Sequence, residues 1–258
     1  MAQEVLEHLL NQSPLLTSKE KTIFLTQNFK KKVFMKKMII LFLSIFCFSV
    51  GIAQDQKKVY STTGGELIFS SATATQGGVN LNTIIRFSPV VNIQNHVHMD
   101  LGEKLGLFTG LGIRNVGLIW DDPTAPATTY KARAYTLGIP IGLKVGNMNG
   151  LHLFGGYEIE FPFHFKKKTF VNDEKTKASD WFSSQVPGSY QSFFFGIQLP
   201  EGLQIKYKYY MTGFFNKSYA ANDGNGGTIY PYQNLDANVY YISLSAQILK
   251  GTSSYYKK

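Results

Sequence analysis

One cysteine stands in 258 residues, with nine prolines, two tryptophans and a charged fraction of 17%, against about 25% charged in an ordinary soluble domain. A single cysteine excludes a disulfide framework and a cysteine-based metal site. It is Cys47, inside an apolar run near the start, so a processed chain would carry no thiol. That run, Met38 to Val50, is thirteen residues long, short of the ~20 apolar residues of a good spanning helix. The 24 glycines and nine prolines are too few for a fibrous or low-complexity chain but enough to punctuate many short segments. A disordered tail is excluded by the 44% hydrophobic fraction. Aromatics are abundant, with 20 Phe and 15 Tyr.

The net charge of +9 divides into +4 over residues 1–53 and +5 over residues 54–258. The surplus is therefore partly a leader's and is no nucleic-acid footprint by itself. Lys30, Lys31, Lys32, Lys36 and Lys37 precede the apolar run, and Gly51-Ile52-Ala53 and a polar stretch from Gln54 follow it. That order is the n-region, h-region and cleavage site of a secretory signal. The reading is a helical signal peptide over 35–53, cleaved before Gln54, with an uncleaved anchor or a buried core helix as alternatives. Residues 1–34 are an upstream extension or the product of a start site assigned too early, and residues 54–258 form one domain.

From Val59 onward the hydrophobic period is two. Leu151, Leu153, Tyr157, Ile159 and Phe161 alternate with His152, Phe154, Glu158 and Glu160; Leu203, Ile205, Tyr207 and Tyr209 alternate with Gln204, Lys206 and Lys208. Eight strands are predicted, at 64–72, 81–93, 105–120, 129–146, 151–166, 189–199, 203–216 and 238–249. Connections 73–80, 121–128, 167–188 and 217–237 lie at one end, the last two long and polar. Connections 94–104, 147–150 and 200–202 lie at the other, the latter two with the Asn/Gly or Pro/Gly chemistry of tight turns. Long loops at one end and short turns at the other, with both termini on the turn side, are the pattern of an antiparallel up-and-down transmembrane barrel.

Parity sorts the charges. With odd positions of strands two to seven facing outward, Arg86, Arg114, Lys144, Glu158, Glu160, Lys206 and Lys208 face inward with Glu66 of strand one, a candidate ion-pair network filling the lumen. A Lys or Arg facing lipid at mid-depth costs about 2–4 kcal/mol. Lys131 and Arg133 break the rule at a strand end, where long side chains reach the interface. Alternation alone does not distinguish inside from outside; a soluble periplasmic, lipocalin-like barrel holding an apolar ligand has the same period. Loop asymmetry and the leader carry the choice.

The segments Ile85-Arg86-Phe87-Ser88-Pro89-Val90-Val91-Asn92 and Leu105 to Gly117 resemble the small outer-membrane β-barrel domain family of Gram-negative bacteria, at motif level over residues 85–117 and as pattern over most of 59–249. The resemblance implies an eight-stranded barrel in the outer membrane, in contact with lipid, lipopolysaccharide and the outer-membrane assembly machinery, and implies little about activity. The chain departs from it in carrying Gly251 to Lys258 beyond the last strand. Pro89, Pro140 and Pro162 fall within strands and predict bulges or strand ends.

Other motifs have plainer readings. His96-x-His98 lacks a third metal ligand. Glu158-x-Glu160 has the form of an acid–base pair but faces Lys144, Lys206 and Lys208. His164 near the outer rim has no nucleophile elbow to accompany it. Gly110-x-Gly112-x4-Gly117 lacks dinucleotide spacing. Lys166-Lys167-Lys168 opens a long loop and meets either anionic lipopolysaccharide or solvent. Phe193 to Phe195 and Tyr207 to Tyr210 read as interfacial girdles rather than base-stacking platforms. No catalytic residue, metal or cofactor is expected. The expected function is a structural or binding role through the outer loops toward an extracellular or membrane partner, not general diffusion and not nucleic-acid binding; an outer-membrane hydrolase is a further alternative.

Overall fold

The computed structural model describes residues 57–125, 127–172, 174–250 and 254–256. The extension over 1–34, the signal peptide over 35–53 and its cleavage site lie outside the described residues. Among the described residues there is no α-helix, and no helix long and apolar enough to cross a membrane.

The strands are β1 (Lys57–Gln76), β2 (Val79–Asn80), β3 (Thr83–Ile84), β4 (Arg86–Ser88), β5 (Ile93–Asp100), β6 (Leu105–Asp121), β7 (Thr128–Gly146), β8 (His152–Val171), β9 (Glu174–Trp181), β10 (Tyr190–Gln198), β11 (Leu203–Tyr210), β12 (Ala221–Asn222), β13 (Thr228–Ile229), β14 (Leu235–Lys250) and β15 (Ser254–Tyr256). The main sheet is antiparallel. β5 joins β1 to β6, β7 follows β6, and β8 follows β7. β8 also pairs with β10, β10 with β11, β11 with β14, and β14 with β1 over most of its length. β9 extends the hairpin beyond the outer part of β8 and pairs with nothing else among the described residues.

Period two is visible in burial. In β7 the residues from Leu137 to Val145 alternate exposed and buried, and β5 alternates from its first residue to its last. Ile141 is 67% exposed and Leu153 61%, whereas Arg114, Glu158, Glu160 and Lys208 are at most 1% exposed. The apolar side chains thus form the outer face and the charged ones the inner face, the inverse of a soluble sheet.

Several expectations need correction. The second predicted strand, 81–93, is interrupted: β3 pairs with β6, β4 pairs with β1, and the ladder resumes only at β5. Pro89 offers no amide donor and Val91 has φ 64°, so neither continues a strand. The connection expected over 94–104 is mostly β5 itself, with the turn confined to 101–104. The loop expected over 73–80 is strand closed by Gly77 and Gly78, whose φ of 58° and 85° suit glycine in a two-residue hairpin turn. Pro162 lies beside a bulge, where Tyr135 faces His164 and Thr136 faces Pro162. Pro140 remains in register opposite Glu158 without a bulge, and its carbonyl accepts from the Thr109 hydroxyl at 2.7 Å.

The β11–β14 connection also departs from expectation. The seventh strand ends at Tyr210, not 216. Beyond it Phe214, Phe215, Tyr232 and Leu235 are buried among Trp120, Phe165, Tyr190, Tyr210 and Tyr241. The connection folds back over the inner face, so residues 217–237 do not form a wholly free loop.

Candidate functional site

Alternating placement from β1, β6, β8 and β11 brings six charged side chains together at mid-height of the inner face. Arg114 donates through Nε to Glu66 at 3.1 Å and through Nη1 to Glu158. Lys206 pairs with Glu66 at 2.8 Å, and Lys208 with Glu158 at 2.7 Å and with Glu160. Three cations thus meet three carboxylates. Neutral donors fill the remaining acceptor positions: Thr136 and Tyr210 donate to Glu160 at 2.6 and 2.8 Å, and Ser243 donates to Glu66. A buried charge without such partners costs several kcal/mol, and each of these groups has at least one opposite charge in contact.

Room for these side chains comes from glycines of β6 and β7, on the same or the adjoining strand. A Cβ on Gly138 would overlap a Glu158 carboxylate oxygen, and one on Gly112 would stand 2.9 Å from the Arg114 guanidinium. Gly106 stands in the same relation to Lys144.

Two of the eight expected members lie elsewhere. Lys144 pairs with Asp100 at 2.5 Å and donates to the Tyr60 hydroxyl at 3.1 Å, nearer the turn end. Asp100 lies within residues 94–104, which read as a connection between strands; the continued alternation Val97, His98, Met99, Asp100 is the signal for it. Arg86 makes no ion pair among the described residues. Its guanidinium donates to the carbonyl and side-chain oxygens of Asn115, while Asn92 Oδ1 accepts from the Asn115 amide at 2.8 Å. At the interruption between β4 and β5 these side chains satisfy β6 backbone groups that a continuous strand would have paired.

Above the ion pairs lies the aromatic layer with the folded-back loop. Below them Phe108, Phe154 and Phe194 cluster with His96 and His98. His96 and His98 have ring centroids 5.9 Å apart, and His98 bonds the Thr62 hydroxyl at 2.8 Å. Among the described residues no three His, Cys, Asp or Glu gather as a metal would require. A recess of about 330 Å³ opens at the turn end, bordered by Lys58, Tyr60, Asp100, Met148, His152 and Leu199 among others.

His164 bonds the Ser179 hydroxyl at 3.0 Å and sits among the rings of Tyr135 and Trp181. Phe193 and Phe195 are exposed and Phe194 is buried. The bulge at Phe163 shifts parity in β8, so Phe165 and Lys167 turn inward. Lys167 lies over the rings of Tyr130 and Tyr232, leaving Lys166 and Lys168 on the outer face.

No protein-family model matches the chain, and no curated protein matches it. Solved structures similar to the chain include small Gram-negative outer-membrane β-barrels. Ail of Yersinia pestis, solved in complex with the heparin analogue sucrose octasulfate, is 8% identical over 75% of this chain and 100% of its own, with a TM-score of 0.35. Neisserial surface protein A is 8% identical over 74% and 97%, TM-score 0.32. The outer-membrane protease OmpT of Escherichia coli is 10% identical over 79% and 97%, TM-score 0.35. Likeness at this level transfers no site residue and no activity.

Proposed function

We propose that this chain is an eight-stranded, closed outer-membrane barrel with a filled lumen, exported by its leader, and that its function resides on outward-directed surfaces rather than in a pore. The observation that carries the reading is the inverted face: an exposed apolar belt around a buried, charge-balanced network. A soluble ligand-carrying barrel requires the opposite assignment. Closure is supported by the pairing of β14 with β1 and of β10 with β8. The two lumen layers, ion pairs and aromatics, occupy a section that eight staves make just wide enough for side chains, whereas open pores come with about 16–18 strands. The outer direction follows from the connections: short turns lie at the end where the described strand ends Lys57 and Tyr256 pair, and longer segments lie opposite.

Planar-bilayer recording on the purified barrel tests the filled lumen. Silence or brief small currents are expected, and steady nanosiemens conductance defeats the reading. Detergent dependence and heat-modifiable migration on gels test the barrel itself.

A further inference from the structure

The outer face of the β7–β8–β9 extension carries cations in ordered rows. Lys131 faces Lys168 across β7 and β8, and Lys168 faces Lys177 across β8 and β9. In the next row Arg133 faces Lys166, which faces Ser179. Neighbouring strands are ~4.8 Å apart and successive same-face residues about 6.7 Å, so the backbone positions of the five cations span a patch of roughly 10 Å by 7 Å. Cross-strand like charges are unfavourable. None of the five has an ion pair among the described residues, whereas Arg114, Lys144, Lys206 and Lys208 in the lumen do. The Lys168 ammonium is held below its ordinary pKa by partial desolvation and then by Lys175, Arg133, Lys131 and Lys177. A cleft of about 80 Å³ lies among Lys131, Arg133, Lys166 and Lys168, and buried Arg86 borders it.

Position along the strands selects the anion. Down the outer face of β7 from these rows come Tyr135 and then the exposed aliphatic positions Leu137, Ile139 and Ile141. Between cations and belt lies an aromatic band, with Phe163 stacked on Trp181 at 6.1 Å and Trp181 itself 68% exposed. Aliphatic, aromatic and cationic zones follow one another on one face. A lipid anchored by acyl chains on the belt would bring its phosphates to the cations. A soluble polyanion needs only the cations.

We propose that this ridge binds the phosphate groups of an outer-leaflet glycolipid, an inference that rests on the membrane orientation above. It accounts for β9, whose eight residues are all exposed yet continue the sheet: an exposed hairpin is marginal alone, and bridging anions would hold its cationic rows together.

The test uses the full chain purified in zwitterionic detergent, with diphosphorylated lipid A, its dephosphorylated form and inositol hexakisphosphate as probes, and bound lipid counted by native mass spectrometry. Diphosphorylated lipid A should bind at least tenfold more tightly than the dephosphorylated form. The triple change Lys131→Gln, Lys168→Gln, Lys177→Gln should abolish that preference. Lys104→Gln, at the turn end, should leave it intact. Single variants Lys131→Gln and Lys177→Gln, each expected to weaken binding severalfold, serve if the triple variant misfolds. Equal binding of the two lipids, or undiminished binding by the variants, overturns the proposal. Inositol hexakisphosphate binding as tightly as lipid A also overturns the lipid assignment. Loss of heat-modifiable migration in the unaltered chain would instead overturn the barrel reading.

Discussion

Arg114 is the residue on which the inner layer turns, because it touches carboxylates from β1 and β8 at once. Replacing it with methionine removes the cation and leaves Glu66 and Glu158 with a lysine each. Loss of one partner of a buried ion pair costs about 3–5 kcal/mol, so Arg114→Met should lower the urea midpoint of the reconstituted barrel, and Arg114→Lys should lower it less. Gly138→Ala tests the space rather than the charge. Its methyl would displace the Glu158 carboxylate, and overpacking of this kind costs about 1–3 kcal/mol; a wild-type midpoint for Gly138→Ala would contradict the packing described. The charged residues and their inward parity were legible from the strand period. Their pairing was not, because which strand lies opposite which, at what height, depends on register across the sheet.

The β11–β14 connection, residues 211–234, works as an element. Phe214 and Phe215 anchor it, and Phe→Ala in a packed core costs about 3–5 kcal/mol. The double variant Phe214→Ala, Phe215→Ala should expose this segment to added protease while bilayer conductance stays below the nanosiemens range, since the ion-pair layer beneath is untouched. High conductance in that variant would show that the loop, not the ion pairs, closes the lumen. Tyr232, in the same loop, donates to Gln185 at 2.7 Å, and burial, then Tyr219 and Asp180, push its hydroxyl above the ordinary value. A neutral acid with a raised folded pKa stabilises below its unfolded pKa of about 10 and loses that contribution as pH rises further. Proteolysis of the loop should therefore increase above pH ~10, and Tyr232→Phe should flatten the step. None of this folding-back is visible in a polar, Asn- and Gly-rich stretch, whose few aromatics read equally well as surface residues.

For the whole molecule the decisive property is which face meets lipid. Spin labels at Ile141 and Leu153, both more than half exposed, should show high oxygen accessibility in bilayers, and labels at Glu158 and Glu160 should show little. The reverse pattern would place the apolar face inside and restore the soluble-barrel alternative. Proton–deuterium exchange offers a second whole-molecule measurement: amides of β7, paired on both sides along most of its length, should exchange far more slowly than those of β9, which has one neighbour.

Strand content, the period of two, the sorting of Glu66, Arg114, Lys144, Glu158, Glu160, Lys206 and Lys208 to one face, and the unequal ends are all local properties. Each follows from the order of side chains along a strand or from the lengths of the segments between strands, and so the sequence by itself determined them. Tertiary structure alone decided that Lys144 takes Asp100, that Arg86 repairs an interrupted ladder, and that the bulge at Phe163 turns Lys167 inward and Lys166 and Lys168 outward. These depend on long-range register, where a one-residue slip reverses every side chain beyond it, and a strand's own sequence does not record how its neighbours are aligned.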